Sequence, residues 1–404
     1  MKAILRYSKA FIILIAAFFA FSVLSCLLPY KGIRAHIGKS ASSFDSETVY
    51  PKAIINLRQC QMDNFTDGLI MNINYNVDAH HPVRSAMAAN RSVEYGNDWN
   101  QPGLVLRIVE GEQLKTNHYS RYWHGNSFLF RFFFLFWDFN TIRWVLYIIS
   151  SLLFVMLLCT YYLRAGLAKT LVLSSGFLAT CGFVTQFSMQ FFPVLALTLI
   201  GCLIVIKRDE SKPLGMLFFV IGALTCYFDL LTTPLLTLGM PLVVMLSLNQ
   251  DDSFDLKRNL FLIIQLALLW GLGFALTFFA KWVLATLILG QDVLANAYAV
   301  AKYRVNAEDF TRWDAVSKNF NMLQLWMIVA AMAVLLVRLV IRRHAFEGKK
   351  ALLFLLVGLM PYVWYFVLSN HSYEHWWFTY RLQAVSVVSL LMILLGKEKK
   401  PLKS

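Results

Sequence analysis

Long apolar stretches recur along almost the whole chain, and they limit the folds that it can adopt. A helix needs about 20 apolar residues to cross the hydrocarbon core of a bilayer. With 58% hydrophobic and 15% charged residues among its 404, the chain is too apolar for a soluble protein of that length. The sequence predicts an all-α polytopic membrane protein of about ten transmembrane helices, at roughly 10–28, 141–163, 170–187, 190–206, 213–229, 232–248, 259–280, 322–341, 351–369 and 379–395.

Lysine and arginine cluster in every second connection between these stretches. Cytoplasmic loops carry this excess of positive charge, so the net charge of +14 needs no nucleic-acid partner. The pattern predicts a multi-pass membrane protein with both termini in the cytoplasm. The predicted parts are the N-terminus and first transmembrane helix (1–28), an outer loop with interfacial, amphipathic helices (29–140), transmembrane helices 2–7 (141–280), a second outer loop (281–321), and transmembrane helices 8–10 with a basic cytoplasmic tail (322–404).

Polar residues within or at the ends of the predicted spans all lie toward the outer side. Such residues are rare at membrane depth and usually face a bundle interior or a wet cavity. Their one-sidedness predicts a single polar cavity that opens outward. These residues are Arg143, Gln186, Gln190, Asp229, Thr232, Thr233, Lys281, His371, Glu374, His375 and Arg381. For Asp229, a helix-capping role and a role in the cavity are both open and are compatible.

The first outer loop contains two aspartates four residues apart, Asp63 and Asp67. On a helix this spacing puts both carboxylates on one face. A carboxylate in a partly desolvated cavity can have its pKa raised enough to act as a general base. The alternative is a solvated turn or a helix start. We prefer Asp67 as the base because Gly68 lets a ligand approach the backbone closely.

Two further segments combine aromatic rings with cations. In HYSRYWHG (118–125), Arg121 is suited to phosphate oxygens, with Tyr122 and His124 beside it as substrate-binding candidates, while the rings fit an interfacial belt. In NHSYEHWWFTYR (370–381), His371 and His375 share a face if helical. Contacts from these histidines and Arg381 to a phosphate or hydroxyl are favoured over zinc binding. No cofactor is predicted, although a divalent metal stays open as an alternative.

Neither the cysteines nor the motifs known from soluble enzymes indicate a function for this chain. Only Cys60 of the six cysteines lies in an outer loop, so no disulfide framework can be read from the sequence. Phosphate-binding and nucleophile-elbow motifs are missing, which argues against nucleotide-driven chemistry.

In topology the chain resembles the GT-C superfamily of integral-membrane glycosyltransferases. It is also similar to bacterial multispan proteins with blocks such as SRYWHG (120–125) and FDLLTTP (228–234). GT-C enzymes use a polyprenyl-phosphate-linked sugar on the outer face and carry a catalytic carboxylate in the first outer loop, where Asp63 and Asp67 stand here. The tandem acidic pair and C-terminal soluble domain of many members are absent from this sequence.

The resemblance implies an inverting transfer of a sugar, at the bacterial cytoplasmic membrane, to a cell-surface glycan, lipid or protein acceptor. The implied partners are the lipid-linked sugar, the acceptor and membrane lipids. Two alternatives stay open. One is a ligase or polymerase of lipid-linked O-antigen that relies on arginine and histidine, and the other is a transporter or flippase for lipid-linked sugars.

Overall fold

The computed structural model describes residues 2–94, 96, 99–208, 213–249, 255–306, 309–323, 325–342 and 347–396. The predicted basic tail at 397–404 lies outside these described residues. Of the described residues, 77% are in helices and 2% in strands, which confirms the all-α prediction.

The α-helices are α1 Lys2–Cys26, α2 Tyr30–Ser46, α3 Asn64–Tyr75, α4 Pro82–Ala88, α5 Gln101–Val109, α6 Gly125–Phe134, α7 Phe139–Ala179, α8 Gly182–Thr185, α9 Phe192–Lys207, α10 Gly215–Phe228, α11 Leu236–Leu248, α12 Leu256–Leu289, α13 Val293–Val305, α14 Arg312–Phe320, α15 Leu325–Arg342, α16 Gly348–Val367, α17 Ser369–Glu374, α18 Trp376–Thr379 and α19 Ala384–Leu395. Short 3-10 turns lie at Arg58–Cys60 and Tyr380–Gln383. Strands β1 Arg91–Val93 and β2 Lys115–Asn117 form one antiparallel ribbon.

Five helical segments in the described part of the chain are long and apolar enough to cross a membrane, namely Ile4–Cys26, Phe139–Ala179, Leu256–Leu289, Gly348–Val367 and Trp376–Leu395. A sixth results if the bent pair Arg312–Phe320 and Leu325–Val337 is one span. The structure therefore supports a multi-pass helical membrane protein. It has five or six candidate spans where hydropathy alone predicts ten.

The difference comes from the middle of the chain. The predicted span 141–163 and the first ten residues of the predicted span 170–187 lie in the single element α7, which is interrupted by the non-helical backbone of Gly166, and the rest of the second span contains the short helix α8. Three others correspond to α9, α10 and α11, which have 16, 14 and 13 residues. At about 1.5 Å per residue these are shorter than a hydrocarbon core of about 30 Å. Every residue of α11 from Thr237 to Ser247 is buried. The apolar side chains of this helix therefore pack against protein and not against lipid.

The 29–140 segment folds into short helices, as predicted, but α3 does not lie on a surface. Leu69, Ile70 and Ile73 are buried, and α3 packs against α2, α5 and α6. The stretch before α3 is open, with Ile55 83% exposed. The short helices thus form a packed layer around α3, with the β1–β2 ribbon, which the sequence did not predict, at its edge.

Two buried arginines connect this layer to the longer helices through hydrogen bonds and an ion pair. Arg131 of α6 donates hydrogen bonds to the carbonyl oxygen of Ser25 at the end of α1 (3.0 Å) and to that of Asn74 in α3 (2.8 Å). Arg143 of α7 pairs with Glu47 (2.7 Å) and donates to Asn64 Oδ1 (2.7 Å) at the first residue of α3. Charge-assisted bonds of this kind are among the strongest in proteins, so they fix the position of α3.

Candidate functional site

Polar side chains from four separate parts of the chain meet at one end of the helical bundle. The parts are the first turn of α3, the turn between α8 and α9, the turn between α10 and α11, and the helices α17 and α18. Hydrogen bonds join the first three parts, and another joins the third part to α17. Residues far apart in the sequence therefore form one polar cluster.

Asp63 caps the start of α3. Its Oδ1 accepts a hydrogen bond from the backbone N–H of Thr66 (3.1 Å), and its Oδ2 accepts one from the Thr66 hydroxyl (2.6 Å). Burial raises the pKa of Asp63, and the bonds from Thr66 and the charge of Arg381 oppose that rise. Because both oxygens serve the cap, Asp63 is the weaker candidate for proton transfer.

Asp67 lies one turn further along α3 and is only 1% exposed. Its Oδ1 accepts hydrogen bonds from the Ser188 hydroxyl (2.9 Å) and from the backbone N–H of Gln190 (3.1 Å). Burial raises the pKa of Asp67 to about 7, although the Arg143 charge opposes the rise. A carboxylate that titrates near neutral pH is suited to accept a proton from a substrate hydroxyl.

Asp229 follows α10 and is linked to Asp67 through Gln190. Its Oδ1 accepts hydrogen bonds from the Gln190 side-chain amide (3.3 Å) and from the backbone N–H (3.0 Å) and hydroxyl of Thr232. These bonds close the 229–232 turn and do not cap α11, whose N-cap is Leu235. The Asp229 Oδ2 atom is buried and has no partner among the described residues. Burial raises the pKa of Asp229 to about 6.

The turn after Asp229 is strained and is held by a histidine. Leu231 has φ of 66°, in the left-handed region that bulky side chains disfavour. Its carbonyl oxygen lies 2.8 Å from Nε2 of His371. Strained backbone persists only where the surrounding structure imposes it, and such positions cluster at functional sites.

His371 and His375 are neutral groups at neutral pH. Burial lowers the pKa of His371 well below its usual value and that of His375 to about 4, and the Arg304 charge adds to both effects. Because the partner of His371 Nε2 is a carbonyl, Nε2 carries the proton and Nδ1 is an acceptor. This Nδ1 is buried without a partner in the described part of the chain, so it can accept a hydrogen bond from a hydroxyl.

The two rings lie with their centroids 4.8 Å apart, although the helix breaks at His375. Among the described residues, no group of three or more histidine, cysteine, aspartate or glutamate side chains is arranged to hold a metal ion.

Arg304, in the last turn of α13, brings a positive charge to the site. Its guanidinium carbon lies 5.6 Å from the centroid of the Tyr122 ring. Its Nη1 is buried and has no partner within the described ranges. Arg304 was missed as a site residue because the second outer loop has several charges, and local sequence does not distinguish this one.

Arg121, Tyr122 and His124 lie close together, with the Tyr122 and His124 ring centroids 5.9 Å apart. The Arg121 guanidinium carbon lies 5.7 Å from the Tyr122 ring centroid, and its Nε is buried without a partner among the described residues. His124, in the left-handed region, has Nε2 2.8 Å from the Tyr119 carbonyl oxygen, and burial lowers its pKa to about 3. Tyr122 and Trp123 are buried within the protein, so the prediction that they belong to an interfacial belt is wrong.

Two residues have contacts that change their expected roles. Arg381 donates one hydrogen bond from each terminal guanidinium nitrogen, to the carbonyl oxygens of Trp377 (3.1 Å) and Gln61 (2.9 Å), and its Nε is the nitrogen with no partner among the described residues. Gly68 packs against α5, where an added Cβ would lie 2.9 Å from Cβ of Gln101. The predicted ligand approach at Gly68 is therefore wrong, and the glycine serves helix packing instead.

The site thus contains buried carboxylates, with Arg304 near the two histidines and Arg121 at the same Tyr122 ring as Arg304. Asp67 is able to accept a proton, and Arg121 and Arg304 are able to stabilise an anion. Comparison with known proteins gave no match to any family model, curated protein or solved structure.

Proposed function

We propose that the chain is a membrane glycosyltransferase that moves a sugar from a polyprenyl-phosphate donor to a glycan, lipid or protein acceptor of the cell envelope. The site would face the outside of a bacterial cytoplasmic membrane, with both chain termini in the cytoplasm. The observation that carries the proposal is the link from buried Asp67 through Gln190 to Asp229, in a site that also holds Arg121 and Arg304.

Asp67 is assigned the role of general base. The acceptor hydroxyl gives its proton to Asp67, and its oxygen forms a bond to the anomeric carbon of the sugar. The bond between that carbon and the phosphate oxygen breaks, and polyprenyl phosphate leaves with the electron pair. Attack opposite the leaving group inverts the anomeric configuration. General-base assistance is typically worth about 10²–10⁴-fold in rate.

The arginine side chains are assigned the role of binding the leaving phosphate. Nε of Arg121 and Nη1 of Arg304 are buried donors without partners among the described residues, and an arginine donor suits a phosphate oxygen. Arg381 is a further phosphate contact through Nε. Electrostatic stabilisation of the charge that develops on a leaving group often accounts for more of the rate enhancement than any other single effect.

Asp229, His371 and His375 are assigned to the acceptor. Asp229 Oδ2 and Nδ1 of both histidines are buried atoms without partners in the described part of the chain. A sugar hydroxyl can donate a hydrogen bond to a carboxylate oxygen or to the Nδ1 acceptor of His371. These contacts would orient the acceptor so that its reacting hydroxyl points toward Asp67.

The proposal is tested by assaying the purified chain in lipid nanodiscs against a panel of radiolabelled polyprenyl-phosphate sugars. The Asp67→Asn variant keeps the side-chain shape but removes the base. We expect transfer to fall at least about 100-fold while binding of the donor is kept. The control is Asp78→Asn, which changes an exposed aspartate of the same segment. Full activity of Asp67→Asn would overturn the aspartate mechanism.

The ligase or polymerase alternative is favoured by one observation, which is that Arg304 lies beside two histidines. In that case alanine at His371 or His375 would abolish transfer while Asp67→Asn stays active. A flippase would instead leave lipid-linked sugar on the inner leaflet when the site is mutated.

A further inference from the structure

Two cysteines that are 121 positions apart in sequence meet beside the α3 helix. The Sγ atoms of Cys60 and Cys181 lie 2.8 Å apart, and both residues are buried. Unbonded heavy atoms of carbon size have their optimum at about 3.5–4.0 Å, and sulfur is larger. The two sulfur atoms are therefore closer than ordinary packing would place them.

The backbone on both sides of this pair is held by the last helical segment. The Tyr380 hydroxyl lies 2.7 Å from the carbonyl oxygen of Gln59 and 2.8 Å from that of Thr180, the residues before the two cysteines. Arg381 holds the carbonyl oxygen of Gln61, the residue after Cys60, at 2.9 Å. The two cysteines are thus presented to each other by segments with fixed positions.

A backbone bridge adds to this arrangement on the Cys60 side. The carbonyl oxygen of Cys60 accepts a hydrogen bond from the N–H of Ala53 (2.9 Å), and the N–H of Met62 donates to Pro51 (2.8 Å). Asp63, the cap of α3, follows directly. Any covalent tie at Cys60 would therefore act on the start of the helix that carries Asp67.

We propose that Cys60 and Cys181 are joined by a disulfide bond in the mature protein. The oxidant is the disulfide of a thiol–disulfide oxidoreductase, on the outer side of the membrane. The thiolate of one cysteine attacks that disulfide and displaces one oxidoreductase sulfur as a thiolate. The second cysteine thiolate then attacks the mixed disulfide and displaces the other, so the chain loses two protons and two electrons and the oxidoreductase becomes a dithiol.

The proposal rests on the sidedness given under Proposed function, because disulfides persist in oxidising compartments outside the cytoplasm. It does not rest on glycosyl transfer. Its expected effect is to tie the 29–140 segment to the turn after α7, close to the site.

Thiol counting on the full chain tests the proposal. Cells are quenched with acid, the protein is denatured without reductant, and thiols are labelled with a maleimide that adds a mass visible on a gel. Of the six cysteines, four are expected to react before reduction and six after it. Digestion without reductant should give one linked peptide that contains both Cys60 and Cys181. Six labelled thiols before reduction, or a linkage between other cysteines, would overturn the proposal.

Cysteine-to-serine variants show which two cysteines form the disulfide. Cys60→Ser and Cys181→Ser should each leave five thiols that all react without reductant, because the partner is released. Cys26→Ser changes another buried cysteine and should leave three that react before reduction and five after it. Because the wild-type count and linked peptide need no variant, a variant that fails to fold leaves the test intact. The readout is thiol chemistry, so its failure and the failure of the transfer assay are separate results.

Discussion

Asp67 and Asp229 are joined through a single residue. The backbone N–H of Gln190 donates to Oδ1 of Asp67 (3.1 Å), and its side-chain amide donates to Oδ1 of Asp229 (3.3 Å). The first bond survives any substitution that keeps the backbone in place, whereas the second depends on the amide. Mutation can therefore separate the two contacts.

Replacing Gln190 by alanine tests this separation. The bond to Asp67 should remain, while Asp229 and Asn126, which also contacts the Gln190 side chain, each lose a partner. Leaving a buried polar group without a partner costs about 1–3 kcal/mol. We expect kcat for transfer to fall about tenfold while the pH profile is kept. The control is Gln186→Ala in the same turn, whose amide contacts Ser151 instead. Equal activity of the two variants would contradict the role of Gln190.

The pH dependence of transfer should report the ionisation of Asp67. A general base works in its deprotonated form, and the pKa of Asp67 is raised to about 7. We expect kcat/KM to fall about tenfold per pH unit below pH 7 and to level off above it. Rates measured between pH 5 and 9 with several donor concentrations would check this. A flat profile for the wild-type chain across that range would remove Asp67 as the base.

Asp67 should also make the stability of the chain depend on pH. Its pKa in the folded state, about 7, is above its ordinary value of 3.8. A group whose pKa is raised on folding contributes stability that is complete below pH 4 and is lost as the pH rises through 7. We therefore expect the stability of Asp67→Asn relative to wild type to increase as the pH rises from 4 to 7. The total increase in the free energy of unfolding should be on the order of 2 kcal/mol or more, with no further increase above pH 7. Apparent melting temperatures in detergent at pH 5 and 8 would measure it. An Asn advantage that shrinks with rising pH would contradict the assignment.

The helical membrane architecture could be predicted because apolar stretches are a local property of the sequence. The number of spans could not be predicted in the same way. Helix α11 is as apolar as a span, but the apolar residues face protein on every side, and hydropathy cannot tell lipid from protein as the apolar neighbour. The burial of α3 depends in the same way on contacts with α2 and α5, which its own sequence does not contain.

The candidate site could be predicted only in part, because long-range contacts between its residues are not visible in the sequence. Asp229 and His371 stand out because ionisable groups are rare near a bilayer, and the structure brings them to one turn. Gln190 is among the polar residues predicted for the cavity, but nothing in the sequence distinguishes it from the others, and Arg304 lies in a loop with several charges. Their importance depends on contacts with residues more than a hundred positions away, which one sequence does not reveal.

Arg304 should control binding of the donor. Its Nη1 is a buried donor beside the Tyr122 ring, and hydrogen bonds to charged groups contribute about 1.5–3 kcal/mol. We expect Arg304→Gln to raise KM for the lipid-phosphate donor about tenfold to hundredfold, with the pH profile unchanged. Lys302→Gln removes a cation from the exposed face of the same helix and should have little effect. If both variants raise KM equally, the effect is that of net charge and not of a specific contact.

Gly125 should tolerate no side chain, because α6 begins against Tyr227. A Cβ on Gly125 would lie 2.7 Å from the Tyr227 carbonyl oxygen and would also collide with its ring. Overpacking of this kind costs about 1–3 kcal/mol, so Gly125→Ala should lower the apparent melting temperature. The matched control is Gly32→Ala in α2, where nothing lies within 4 Å of the added Cβ. There alanine should stabilise the helix by about 0.5–1 kcal/mol. The two substitutions therefore have opposite expected signs, and a Gly125→Ala variant as stable as wild type would show that α6 can move away from Tyr227.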